Sequence, residues 1–234
     1  IILKMTLIIV GNYEDCNAMV TDAVCQLPER EPKHIDDIAI RMKFELYDKD
    51  TQTYIAIIGN ETILNSIGFL QRWSEFNQKT FDIFNFNHIK EVCKTAYFLN
   101  TASNNIRHQL EQENSTIILF NPNRISYWKL NYDRNKKTYI IDSDKIIDVE
   151  SNHGILFYGG ATITFENVYS KDIVVKKFIE ILKDKHNFFT KEGVGMPYDL
   201  RDKFSSIVYH KDKNETEINL TFGSMSEYIF GMFG

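Results

Sequence analysis

The chain is short of the residues that most often announce a chemistry. Its three cysteines, Cys16, Cys25 and Cys93, form an odd set without a C-x-x-C pair, so neither a disulfide framework nor a cysteine zinc site is expected. The six histidines (34, 88, 108, 153, 186 and 210) lack metal-ligand spacing, and no metal ion is expected. There is no Walker loop and no dinucleotide fingerprint, hence no nucleotide cofactor. No apolar run approaches the roughly 20 residues that a membrane helix requires. The apolar start is short and has no small-residue cleavage site, which argues against a signal peptide. Basic residues are outnumbered, 27 against 32 acidic ones, for a net charge of −5, and nucleic acid is a poor partner for such a surface.

What is present is core-forming material. Hydrophobic residues make up 43% and aromatics 13% of 234 residues, enough for one large core. No internal repeat, low-complexity linker or domain boundary interrupts the chain. It reads as a single domain over 6–222, with residues 1–5 as an N-terminal extension or propeptide remnant and 223–234 as an apolar tail. The tail is expected to pack in the core, to be disordered, or to dock its aromatics on a neighbouring subunit. Four N-x-S/T sequons, at Asn60, Asn114, Asn214 and Asn219, are what chance gives in an Asn- and Thr-rich chain. Reduced thiols and no leader point to the cytoplasm.

Strands come first. Thr6–Asn12 and Ala18–Val24 read as a hairpin around Asn12-Tyr13-Glu14-Asp15. Gln26 to Asp37, with Pro28 and Pro32, reads as a loop. Ile38–Tyr47 alternates, with Ile38, Ile40, Met42, Phe44 and Leu46 on one face and Arg41, Lys43, Glu45 and Tyr47 on the other. Thr53–Ile58 is a buried strand ended by Gly59. Two helices follow. One is capped near Asn60 and turns Ile63, Ile67, Leu70 and Trp73 inward, with Leu64 or Phe76. The other, His88 to about Gln112, buries Ile89, Val92, Cys93, Ala96, Leu99 and Ile106. Ser115–Phe120, Ile125–Leu130 and Lys137–Ile141 read as a meander that Lys145–Val149 continues. Ile155–Tyr158 then runs into Gly159-Gly160-Ala161. A third helix is expected over Ser170–His186, and strands over Ser205–His210 and Glu217–Phe222. Segregated helices and antiparallel strands imply an α+β layered domain, two packed sheets with helices outside.

The hairpin brings the start of its first strand beside the end of its second, and so Thr6 near Asp22. This layout, with the apolar strand Ala56-Ile57-Ile58-Gly59 before a long helix, resembles a proteasome β-type subunit and the bacterial ring protease that works with an ATP-driven unfoldase. The resemblance spans Thr6 to about Tyr209 and is one of layout. It implies a four-layer αββα sandwich of the N-terminal-nucleophile hydrolases. Thr6 matches the family's nucleophile, and Asp22 its acid, sixteen positions on. Lys43 matches its lysine, with Arg41 as the fallback on the same face. Gly59 matches the oxyanion-hole glycine, and Gly159-Gly160-Ala161 the glycine turn before the third helix.

A threonine hydroxyl is a weak nucleophile until a base takes its proton. In this class the residue's own α-amine is that base, with a pKa of about 7.7–8.0. A lysine ammonium tunes its neighbours and an aspartate holds the lysine. The resemblance thus implies a threonine peptidase acting on unfolded chains, a homo-oligomeric ring and no cofactor. Two features depart from it. Glu192 can stand for an acid late in the chain, but Lys191–Pro197 holds no serine. Residues Ile1–Met5 precede Thr6 and make its nitrogen an amide. The alternatives are a non-catalytic assembly subunit of the same fold and a small-molecule amidase. The bland readings also stand: Thr6 as a strand-starting β-branched residue, Asp22 and Lys43 as solvated charges, Gly59 as a helix-entry glycine, Cys16 and Cys25 as buried structural thiols.

Overall fold

The computed structural model describes residues 7–22, 24–26, 38–40, 43–60, 62–102, 114–158, 161–166 and 203–222. Thr6, the 1–5 extension, Arg41, most of the Pro28–Pro32 loop's surroundings, Ile106, Gly159-Gly160, the helix expected over Ser170–His186, Glu192 and the apolar tail lie outside them.

The opening hairpin is β1 (Leu7–Asn12) and β2 (Cys16–Asp22), paired from Ile8↔Thr21 to Asn12↔Asn17. It forms the centre of a six-stranded antiparallel sheet. The neighbours of β1 are β11 (His153–Tyr158) and then β12 (Ala161–Glu166). Those of β2 are β13 (Lys203–His210) and then β14 (Glu215–Phe222). The second sheet is also antiparallel. Its order is β10 (Ile147–Asp148), β8 (Ile125–Asp133), β7 (Ser115–Phe120), β6 (Thr53–Ile58) and β5 (Phe44–Asp48), with β9 (Thr138–Ile141) also paired to β8.

Alternation decides what each sheet buries. Ile8, Val10, Met19, Ile155, Phe157 and Ile207 of the first sheet meet Phe44, Ala56, Ile58, Ile118, Phe120, Ile125 and Tyr127 of the second in one core. The other face of the second sheet presents Ile55, Ile117, Leu119, Trp128 and Leu130 to two helices, α1 (Thr62–Phe76) and α2 (Phe86–Ala102). These supply Ile63, Ile67, Ile89, Val92, Cys93 and Ala96. Trp128 is fully buried there and donates its indole N–H to the Ile83 carbonyl at 2.9 Å, which removes the cost of an unmet donor. The described residues therefore hold three of the expected layers: sheet, sheet and helices.

Some readings of the sequence need correction. The Ile38–Tyr47 strand is two strands. β4 (Ile38–Ile40) pairs with β3 (Val24–Gln26) in a separate two-stranded sheet, and β5 begins only at Phe44. An alternating run says which face a residue takes but not which sheet it joins, so the pattern continued through the break. Within β5, Phe44 is buried while Leu46 is half exposed, because the register with β6 shifts between Leu46 and Asp48 on an edge strand. In α1 the buried line continues from Ile63 and Ile67 to Ser74 rather than to Trp73, which is 45% exposed, or Phe76, which is 88% exposed. Trp73 instead carries the Lys79 ammonium over its ring at 5.0 Å. Ser66 is tolerated on the buried side because its hydroxyl donates to the Thr62 carbonyl. In α2, Leu99 is 38% exposed rather than inward. The strand β12 was not expected at all, and β13 and β14 start two residues earlier than read.

Candidate functional site

The two sheets are clasped at one end. Asn17 Nδ2 donates to the carbonyls of Asn121 and Pro122, in the turn between β7 and β8, at 3.4 and 3.1 Å. Asn12 Nδ2 donates to the Val149 carbonyl at 2.9 Å, and the Thr216 hydroxyl to Gln52 Oε1 at 3.1 Å. Each such bond contributes about 0.5–1.5 kcal/mol net, whereas each large apolar side chain in the shared core contributes roughly 1.5–3. The core therefore holds the sheets together, and the clasps fix which ends lie over each other. All three join the hairpin-turn end of the first sheet to the turns of the second.

The opposite end of the sandwich gathers the candidate residues. β1 begins there, one residue after Thr6. β2 ends there at Asp22, in register with Phe204 of β13. Lys43 stands there, half-buried in the bend before Phe44, and Phe44 pairs with Ala56. β6 ends there at Ile58, followed by Gly59. The topology thus brings Asp22, Lys43 and Gly59, and the strand that follows Thr6, to one end from both sheets.

Gly59 is held tightly. Its φ is +102°, a backbone state that favours glycine, and a Cβ on it would lie 2.5 Å from Ser115 Oγ and 2.7 Å from the Asn114 carbonyl oxygen. The next residue caps α1, since Asn60 Oδ1 accepts from the Thr62 N–H at 2.9 Å. The Asn60 N–H donates to Ser115 Oγ at 3.0 Å. Asn60 and Ser115 are buried, which also removes Asn60 as a sugar acceptor. The Tyr139 hydroxyl completes the cluster. It is buried against Ser115 and Asn60 without reaching hydrogen-bond geometry, and burial raises its pKa against the opposing pull of those two groups. The glycine is therefore required where it stands by the turn itself.

A second buried hydroxyl pair lies near Asp22. Thr21 Oγ1 and Ser205 Oγ are 2.8 Å apart and both are fully buried. Ser205 comes from β13, well beyond the serine-free stretch Lys191–Pro197. The available signal was a pair of serines opening an otherwise apolar strand, at a phase shared with Ile207. Ser115 had a similar signal, a polar residue at the head of the fully buried β7.

The described thiols are poor nucleophiles. Cys16 is 1% exposed, and burial pushes the Cys93 thiol up to about 12. Neither is expected to react with iodoacetamide in the native protein at pH 8. Both are expected to react after denaturation, as peptide mapping by mass spectrometry will show. Among the described residues, no group of three or more His, Cys, Asp or Glu is placed to hold a metal ion, and no helix is long and apolar enough to cross a membrane.

Solved structures show where else this fold occurs. The Anbu (Gly-1) mutant from Hyphomicrobium sp. strain MC1 matches with a TM-score of 0.50 at 11% identity, over 97% of this chain and 96% of its own. Anbu, an ancestral beta-subunit, from Yersinia bercovieri matches at 0.47 and 11% identity over 96% of this chain and 90% of its own. Eukaryotic HslV from Trypanosoma brucei scores 0.28 at 14% identity over 62% and 71%. Only the first of these bears on the fold assignment. No family model matches the sequence, and no curated protein matches it. At 11% identity the likeness is one of fold. The chain has an α+β fold of two packed antiparallel sheets with helices outside, and it shares this fold with Anbu.

Proposed function

We propose that the protein is a proteasome-like threonine peptidase whose nucleophile is Thr6, exposed by removal of residues 1–5. The observation that carries this reading is the convergence of the β1 start, Asp22, Lys43 and Gly59 on one end of the sandwich, in a fold shared with Anbu. Thr6 Oγ attacks the peptide carbonyl and passes its proton to the freed α-amine of Thr6. That amine then delivers the proton to the leaving nitrogen. The resulting ester is hydrolysed by water, with the amine again as base. Lys43 lowers the proton affinity of the amine, and Asp22 holds Lys43. The Gly59 N–H faces the developing oxyanion, a contribution of about 10² to 10³ in rate. Homo-oligomeric ring assembly in the cytoplasm, feeding by an ATP-driven unfoldase and unfolded polypeptide as substrate belong to the same reading. No cofactor enters it.

A second reading is a non-catalytic assembly subunit of this fold. It is favoured by Ile1–Met5 ahead of Thr6, because an acylated nitrogen is no base, and by the absence of serine from Lys191–Pro197. Intact-mass analysis of the native protein separates the two. A mature chain beginning at Thr6 is expected for the peptidase, and a stable chain retaining Ile1–Met5 for the assembly subunit. A monomer or dimer on sizing would instead favour an amidase for small molecules.

A further inference from the structure

We infer that Ser115 is a positioning residue for the Gly59 turn, aiming the Gly59 N–H by pinning the peptide that follows it. This rests on the threonine-peptidase reading and assigns the oxyanion side of that site a support of its own. Glycine crosses its conformational map freely, so a glycine turn has no side-chain preference to hold its N–H in one direction. Something outside the turn has to do so. The Asn60 N–H belongs to the Gly59–Asn60 peptide plane, and its 3.0 Å bond to Ser115 Oγ fixes that plane. On the other side the Ile58–Gly59 peptide continues from β6, whose last residue pairs with Thr116, so both peptides flanking the Gly59 Cα are held and the Gly59 N–H with them.

Three further contacts make Ser115 suited to the task. The Gly59 backbone lies flush on it, so close that any Cβ would overlap the hydroxyl. Asn60 Oδ1 ties the far side of the same peptide to the first turn of α1 through the Thr62 N–H. Tyr139, from β9, covers the cluster and is itself only 4% exposed. Ser115 opens β7 and is itself 2% exposed, so its position is set by the sheet and not by a loop. A donor that drifts by about 1 Å can lose about 10²-fold in rate.

The test uses the full chain matured to begin at Thr6, a fluorogenic peptide and active-site titration with a covalent electrophile. Ser115→Ala removes the acceptor. Ser115→Cys keeps the side chain's shape, with a somewhat larger atom at its tip, but accepts hydrogen bonds weakly. Both variants are expected to lose about 10- to 100-fold in kcat per titrated site, with KM changed less than about threefold. Parent-like kcat per titrated site in both variants would overturn the assignment and leave Ser115 as a packing residue. So would full activity in Ser115→Cys alone, because volume and not the hydrogen bond would then matter. A parent enzyme with no peptidase activity and no titratable site would sink the threonine-peptidase reading itself, and this assignment with it.

Discussion

Thr6→Ala in the matured chain is expected to abolish peptide hydrolysis while leaving the fold and assembly intact. In the proposed mechanism the hydroxyl forms the acyl bond. Losses on the order of 10⁴-fold or more accompany removal of a nucleophile that works as a unit with its base. The fold should survive because the change trims one small side chain, whereas the described core between the sheets is built of large apolar ones such as the fully buried Ile8. Circular dichroism and sizing should match the parent. Thr6→Ser is the informative companion, since it retains both hydroxyl and amine and is expected to keep measurable turnover. Residual cleavage by purified Thr6→Ala at the parent's rate would place the nucleophile elsewhere.

Gly59→Ala is expected to destabilise the fold strongly. At φ +102° an L residue is strained by about 1–3 kcal/mol. The added methyl would also sit 2.7 Å from the Asn114 carbonyl, a backbone atom that cannot step aside as a flexible side chain can. Overpacking of this kind costs a further 1–3 kcal/mol or so. A total destabilisation of about 2–6 kcal/mol should appear as a lower denaturant midpoint with unchanged slope. Gly68→Ala, in the middle of α1, is the control and should go the other way. Its Cβ meets only Arg72 Nη2, at 3.9 Å, so the change should stabilise by about 0.5–1 kcal/mol. Equal midpoints for Gly59→Ala and the parent would mean that the turn relaxes, and the special geometry of Gly59 would lose its significance.

The readable part of the sequence was its periodicity. The apolar runs in Leu7–Asn12, Thr53–Ile58 and Ser115–Phe120 translated directly into strands, because each is bounded by a turn, whereas the alternation over Ile38–Tyr47 spanned two strands. Helix positions were legible only where the helix faces the sheet. Ile63, Ile67, Ile89, Val92 and Ala96 are buried as expected, whereas Trp73 and Phe76 continue an apolar spacing past the surface it packs on. Partnerships between distant strands were not legible. Nothing local to Ser205-Ser206 announces that β13 will lie against β2 and place a hydroxyl on Thr21, 184 residues away in sequence. For the same reason Ser115 could not be linked to Gly59 before the strands were paired. Gly59 itself was marked by its place between an apolar strand and a helix cap. The structure adds the positive φ and the close approach to Ser115 that make it irreplaceable, and neither leaves a mark in composition.

Covalent trapping tests the central claim most directly. A peptide epoxyketone forms a stable ring only with a residue that offers both a side-chain hydroxyl and a free α-amine. Incubated with the native protein and mapped by tandem mass spectrometry, it is expected to give a single adduct on an N-terminal peptide beginning with Thr6, absent from Thr6→Ala. An adduct on any other residue, or a protein that hydrolyses peptides yet takes up no reagent at Thr6, would contradict it.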